Sequence, residues 1–150
     1  MPAARRLGQE GTAGTSEGTR AMNETMISAI VVGEPAGAQV AADALRASGI
    51  RVLGVVEEED GRALALAPDV VAISVKRGAE MAAYHTGHEA AMSGVVALFV
   101  VPALGTPVAE SLMNAVPGSI AVALPLSPSE IRARVADALA ARRSGCAVRP

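Results

Sequence analysis

Pro68-Asp69-Val70-Val71-Ala72-Ile73-Ser74 is the stretch on which the reading of this 150-residue chain turns. Four consecutive aliphatic side chains without polar alternation suit a strand covered on both faces, and such strands belong to parallel sheets. Four more aliphatic runs share the pattern, at 27–32, 51–56, 95–101 and 120–124, with the quoted run spanning 69–75. Helical spacing fills the intervals, and strands alternating with helices require right-handed parallel crossovers. The expectation is an α/β, doubly wound, five-stranded parallel sheet, with the first and third strands most buried.

The intervals carry their own signals. Pro35 suits the start of a helix, Val40, Ala44 and Leu45 recur at helical spacing, and Gly49 closes that helix. Asp60 is placed to cap a short helix over 62–67. The next helix is expected over 79–92, with Met81, His85 and His88 on one side. Thr106-Pro107 reads as a cap and first-turn proline, with Val108, Leu112 and Met113 facing inward. Ser127-Pro128-Ser129-Glu130 reads as a capping box in which Ser and Glu satisfy each other's N–H groups. Ile131, Val135 and Leu139 continue that helix to Arg142-Arg143, at the negative end of its dipole.

Hydrophobic residues make up 51% of the chain, yet Tyr84 and Phe99 are the only aromatics, so Val, Ala, Leu, Ile and Met must build the core. The net charge of −2 and the lack of a basic stripe argue against a nucleic-acid partner. Cys146 has no second cysteine to pair with, which suits a reducing, cytoplasmic setting. The longest apolar run, of about ten residues, is too short to span a membrane. Residues 1–25 read as a disordered tail, 26–143 as the domain and 144–150 as a C-terminal tail. Arg5-Arg6 lacks the apolar region an export signal needs, and Met22 or Met26 would make natural starts.

Gly61-Arg62-Ala63-Leu64-Ala65-Leu66-Ala67 leads into the quoted strand, and Leu124-Pro125-Leu126-Ser127-Pro128-Ser129-Glu130-Ile131 opens the last helix. With these segments, residues 27–143 resemble the receiver domains of two-component response regulators. The resemblance implies a flavodoxin-like, receiver-like fold with strand order 2-1-3-4-5. Active receivers hold Mg²⁺ with an acidic pair after the first strand. They phosphorylate an Asp ending the third, and use a Ser or Thr hydroxyl after the fourth and a Lys before the fifth-strand proline. Here those positions are Gly33-Glu34, Ser74, Val100 or Val101, and Leu124, while Pro125 is expected to keep the family's cis peptide. A serine hydroxyl without an adjacent base is a poor phosphoacceptor.

The resemblance is therefore to a degenerate, pseudo-receiver form, similar to the receiver-like front domains of MinD/ParA-type pilus-assembly ATPases. It implies a non-catalytic regulatory module, not an enzyme, with no cofactor. Its partner would be another protein or a second copy, bound through the fourth helix, fifth strand and fifth helix. Met113, Val116, Ile120, Arg132 and Arg134 mark that face, with Met113 and Val116 expected to be partly exposed.

Other readings compete. A small-ligand sensor or carrier would use the crevice at the carboxyl ends of the strands, beyond Val32, Ser74 and Val101. Ala36, Pro102, Ala103 and Leu104 would make that crevice apolar. His85 and His88, three apart on a helix, lack a third ligand, so surface decoration is expected and no metal. Pro35 stands where a dinucleotide loop needs Gly, and the segment Gly33-Glu34-Pro35-Ala36-Gly37 lacks the histidine of a cobalamin-binding loop. Ser74 is expected to bond nearby backbone.

Overall fold

The computed structural model describes residues 26–57 and 62–148, with the backbone alone for 62, 63 and 143–148. Strand β1 (Ser28–Val32) leads into helix α1 (Pro35–Ala47), followed by β2 (Arg51–Val56) and α2 (Arg62–Ala65). Then come β3 (Val70–Ser74), α3 (Glu80–Met92), β4 (Val96–Val101), α4 (Pro107–Ala115), β5 (Ile120–Ala123) and α5 (Pro128–Val148). The strands form one parallel sheet in the order β2-β1-β3-β4-β5, as expected. Interior β1 and β3 each bury four of five residues, because their aliphatic runs present a nonpolar side chain to both faces.

Alternating side chains divide the core. Ala29, Val31, Val70, Ala72 and Leu98 pack against Ala38, Ala41 and Leu45 of α1 and Ile131 and Val135 of α5. Ile30, Val71, Ile73 and Phe99 pack on the other face, against Ala83 and Ala90 of α3 and Leu112 of α4. The only buried aromatic ring shapes this second layer. A Cβ built on Gly87, in mid-α3, would lie 2.5 Å from Phe99 Cζ, so the helix rests directly on the ring. At the opposite end of the strands, Asp69 staples β3 to β1. Its carboxylate accepts the Ser28 N–H at 2.9 Å and the Ser28 hydroxyl at 3.2 Å.

Several facing assignments change. Val40 is 57% exposed, because α1 turns its small residues Ala38, Ala41 and Ala42 to the sheet. Val108 is exposed and its neighbour Ala109 is buried instead. Helix α2 ends at Ala65, two residues short of expectation, and Asp60 lies outside the described residues. Ser127 Oγ accepts the Glu130 N–H at 3.2 Å, but the Glu130 carboxylate turns 3.8 Å from Arg134, so half of the capping box forms. Helix α5 runs to Val148, beyond the expected end at Arg143, which places Arg142 and Arg143 inside the helix and 144–148 outside any tail. Residues 1–25 and 149–150 lie outside the described residues. Among the described residues, no helix is long and apolar enough to cross a membrane.

Candidate functional site at the carboxyl rim of the sheet

Parallel strands release all their carboxyl ends on one rim, so the loops after β1, β3, β4 and β5 gather the positions that a receiver uses. Val32 is level with Ile73 across β1 and β3. Continuing each chain past that pair brings Glu34 and Lys76 together, and Lys76 Nζ makes an ion pair with Glu34 Oε2. Both side chains are about half exposed. They border a cleft of about 490 Å³ whose other margins include Ser74, Glu57, His85 and Thr86. An ammonium thus sits beside the single carboxylate left after β1, where a hard cation would need carboxylate oxygens.

Ser74 is half-buried at the end of β3. A Cβ on Gly33 would lie 2.8 Å from Ser74 Cβ, and one on Gly37 would lie 2.6 Å from Ser74 Oγ. Two glycines therefore close around the serine, one in the β1–α1 loop and one in the first turn of α1. The expected bond from Ser74 to nearby backbone does not form. Its hydroxyl makes no hydrogen bond among the described residues.

Val100 is level with Ser74 across β3 and β4. It packs toward the α1/α5 layer, and Val101 packs into the other layer, so both serve the core and neither offers a polar atom. Leu124 also packs on the α1/α5 layer, and the Leu124–Pro125 peptide is cis, as the sequence led us to expect. Lys76 was not among the sequence-derived candidates. Its signal lies in strand register, since a residue two past Ser74 meets a residue two past Val32 only if β1 and β3 are adjacent and parallel.

Nearby, Glu80 opens α3 with both carboxylate oxygens 3.1 Å from the Gly78 N–H. Hydrogen bonds from its own backbone N–H, then from Gly78, hold its carboxyl below the ordinary carboxylate value. Among the described residues no group of three His, Cys, Asp or Glu side chains gathers to hold a metal. His85 and His88 stand exposed on α3. A second, largely apolar pocket of about 290 Å³ lies between the loops after β3 and β4, lined by Val75, Val101, Pro102, Ala103, Val108 and Arg77.

The expected interaction face is only partly assembled. Met113, Ile120 and Arg134 line a groove of about 370 Å³ with Asp137 and Ala138, between α4 and α5 over edge strand β5. Val116 is fully buried, because it ends α4 by turning into the core beneath α3. Arg132 points away from this face. Its Nη1 donates to the Ser48 and Gly49 carbonyl oxygens at 3.2 and 3.4 Å, at the carboxyl end of α1. At 100° per residue, two residues separate Arg132 from Arg134 by about 200° around α5.

No protein-family model matches the chain, and no curated protein matches it. Solved structures do. The signal receiver domain of NarL from Mycobacterium tuberculosis superposes with a TM-score of 0.57 at 15% identity, covering 77% of this chain and 97% of that one. The signal receiver domain of a modulated diguanylate cyclase from Desulfovibrio desulfuricans G20 gives 0.60 at 15% identity, covering 79% and 98%. A pilus assembly-related protein from Burkholderia pseudomallei gives 0.51 at 19% identity, covering 77% and 91%. The fold is that of response-regulator receiver domains, an α/β sheet in the order 2-1-3-4-5.

Proposed function

We propose that this chain is a pseudo-receiver, a regulatory protein-interaction module that takes no phosphoryl group by the aspartate route and has no enzymatic activity of its own. The observation that carries the reading is the rim itself. Ser74 ends β3 between two glycines, and the lone carboxylate of the β1–α1 loop is already paired with Lys76. Val100, Val101 and Leu124 add no hydroxyl or charge to hold a phosphoryl oxygen. With that switch gone, binding would be independent of Mg²⁺ and of phosphodonors, in a cytoplasmic setting. The likeness to a pilus assembly-related protein makes assembly machinery one place to look for the partner.

The working surface in this reading is the groove of Met113, Ile120 and Arg134. Incubation with acetyl phosphate and Mg²⁺ is expected to leave no acid-labile phosphate on the wild type or on Ser74→Asp. Stoichiometric labelling of the wild type would overturn the reading. Met113→Glu places a charge in the groove, and self-association by sedimentation, or partner capture, is expected to fall while the fold persists. A second reading, a small-ligand sensor or carrier, draws on the apolar pocket beside Val101 and Pro102. It gains if Met113→Glu changes nothing and native mass spectrometry finds a bound small molecule.

A further inference from the structure

Helix α3 carries a pattern that the receiver-like reading leaves unused. The chain has two histidines and six methionines. Both histidines and two of the methionines fall in one palindromic run, Met81-x-x-x-His85-x-x-His88-x-x-x-Met92. At 100° per residue these four positions lie within an arc of about 60°, so they form a single stripe. All four are exposed, with Met81 at 68% and Met92 at 76%. The inward side of the helix is supplied by Ala83, Gly87 and Ala90, so neither methionine is needed to fill the core.

An apolar docking site explains this stripe poorly. The two thioethers are separated by two imidazoles, which breaks the contiguous apolar area that a partner site presents. Coordination chemistry fits better. Met81 and His85 are four apart, as are His88 and Met92, and side chains at that spacing stand one above the other on a helix. That spacing puts one thioether and one imidazole of each pair on adjacent turns, within reach of a common ion. Thioethers are soft ligands that select Cu(I) among biological metals, and imidazole accompanies them readily. Tyr84 stands beside both rings, with centroids 5.4 Å from His85 and 5.7 Å from His88.

We propose that the exposed stripe of α3 binds soft monovalent d¹⁰ cations, Cu(I) or its redox-inert stand-in Ag(I), at two chelates, Met81–His85 and His88–Met92. His85 also borders the cleft of Glu34 and Lys76, but the other three ligands do not line it, and the test, which reads metal binding, does not depend on the proposed function. Cys146 would capture such ions by itself, so the parent for the test is the full chain carrying Cys146→Ser. Ag(I) is titrated under native mass spectrometry, and the methionine methyl groups are followed by NMR. The parent is expected to bind two equivalents at the stripe, with the Met81 and Met92 methyl resonances shifting together with His85 and His88.

Met81→Leu and Met92→Leu should each remove one equivalent, and His85→Asn with His88→Asn should remove both. Circular dichroism should stay unchanged, since all four side chains are exposed. The affinity for Cu(I), read by competition with a chromogenic Cu(I) chelator, should fall by at least about tenfold in the double methionine variant, the scale on which even outer-shell partners act. Unmoved Met81 and Met92 resonances, or unchanged affinity in that variant, would overturn the proposal.

Discussion

The floor of the sheet and its carboxyl rim follow different rules. On the floor, Ile30, Val71, Leu98 and Phe99 are essentially solvent-free, and each neighbour is set by packing. On the rim, Glu34 and Lys76 remain about half exposed. Burial ties a floor residue to the stability of the whole domain, whereas a rim residue can change its chemistry with little effect on folding. The pseudo-receiver reading proposed above uses that freedom, placing serine, valine and leucine on the rim of a receiver-like frame while the floor stays unchanged.

The sharpest way to probe the contrast is to damage the floor. Phe99→Ala removes the one buried ring and should cost about 3–5 kcal/mol in chemical denaturation. Gly87→Ala tests the same layer from the helix side. Helix propensity alone would favour alanine by about 1 kcal/mol. The added methyl meets the Phe99 ring at 2.5 Å, so overpacking should win, with a net loss of about 1–3 kcal/mol and a lower Tm.

The rim should respond far less. Lys76→Ala breaks an ion pair between half-exposed groups and should change stability by less than about 1 kcal/mol, an effect that shrinks further in added salt. A larger loss would mean that the clasp is structural and would erase the contrast. The smallest expected effect is at Glu80. Its folded carboxyl titrates low, so its contribution is present at neutral pH and is lost as pH falls through that lowered value. The Gly78 amide resonance should follow the same titration, and a midpoint at the ordinary carboxylate value would contradict the bonding seen here.

Much of the fold was legible in the chain. Largely aliphatic runs located all five strands to within one residue at each end; the covered interior strands leave little place for polar residues, whereas edge strand β2 carries Arg51 and Gly54 and buries no residue. The cap at Thr106, accepting the Ala109 N–H at 3.2 Å, was equally readable. The facing of helices was harder. Each residue advances the helix by 100°, so a small error in roll exchanges Val108 for Ala109, or turns Arg132 from the β5 edge to α1.

At the site, the places of Ser74, Leu124 and Val100 at or next to the ends of their strands could be read from the sequence. Lys76 could not, because its role depends on two loops meeting after the strands align. Asp69 is intermediate. Its Pro-Asp setting stands out in sequence, but only the sheet shows that its carboxylate ties β3 to Ser28.

Arg132 closes the molecule in time as well as in space. Its guanidinium meets carbonyl groups at the end of α1 across 84 residues of chain. During synthesis from the amino end, α1 can coil and close on its own bonds, but the two carbonyls just past it gain this donor only once α5 has been made. A nascent chain halted before Arg132 would hold the five strands and a first helix closed by its own Ser48, Gly49 and Ile50 N–H bonds, with the Ser48 and Gly49 carbonyls still lacking this donor. A tie between α1 and α5 is thus added only after every strand of the sheet has been made.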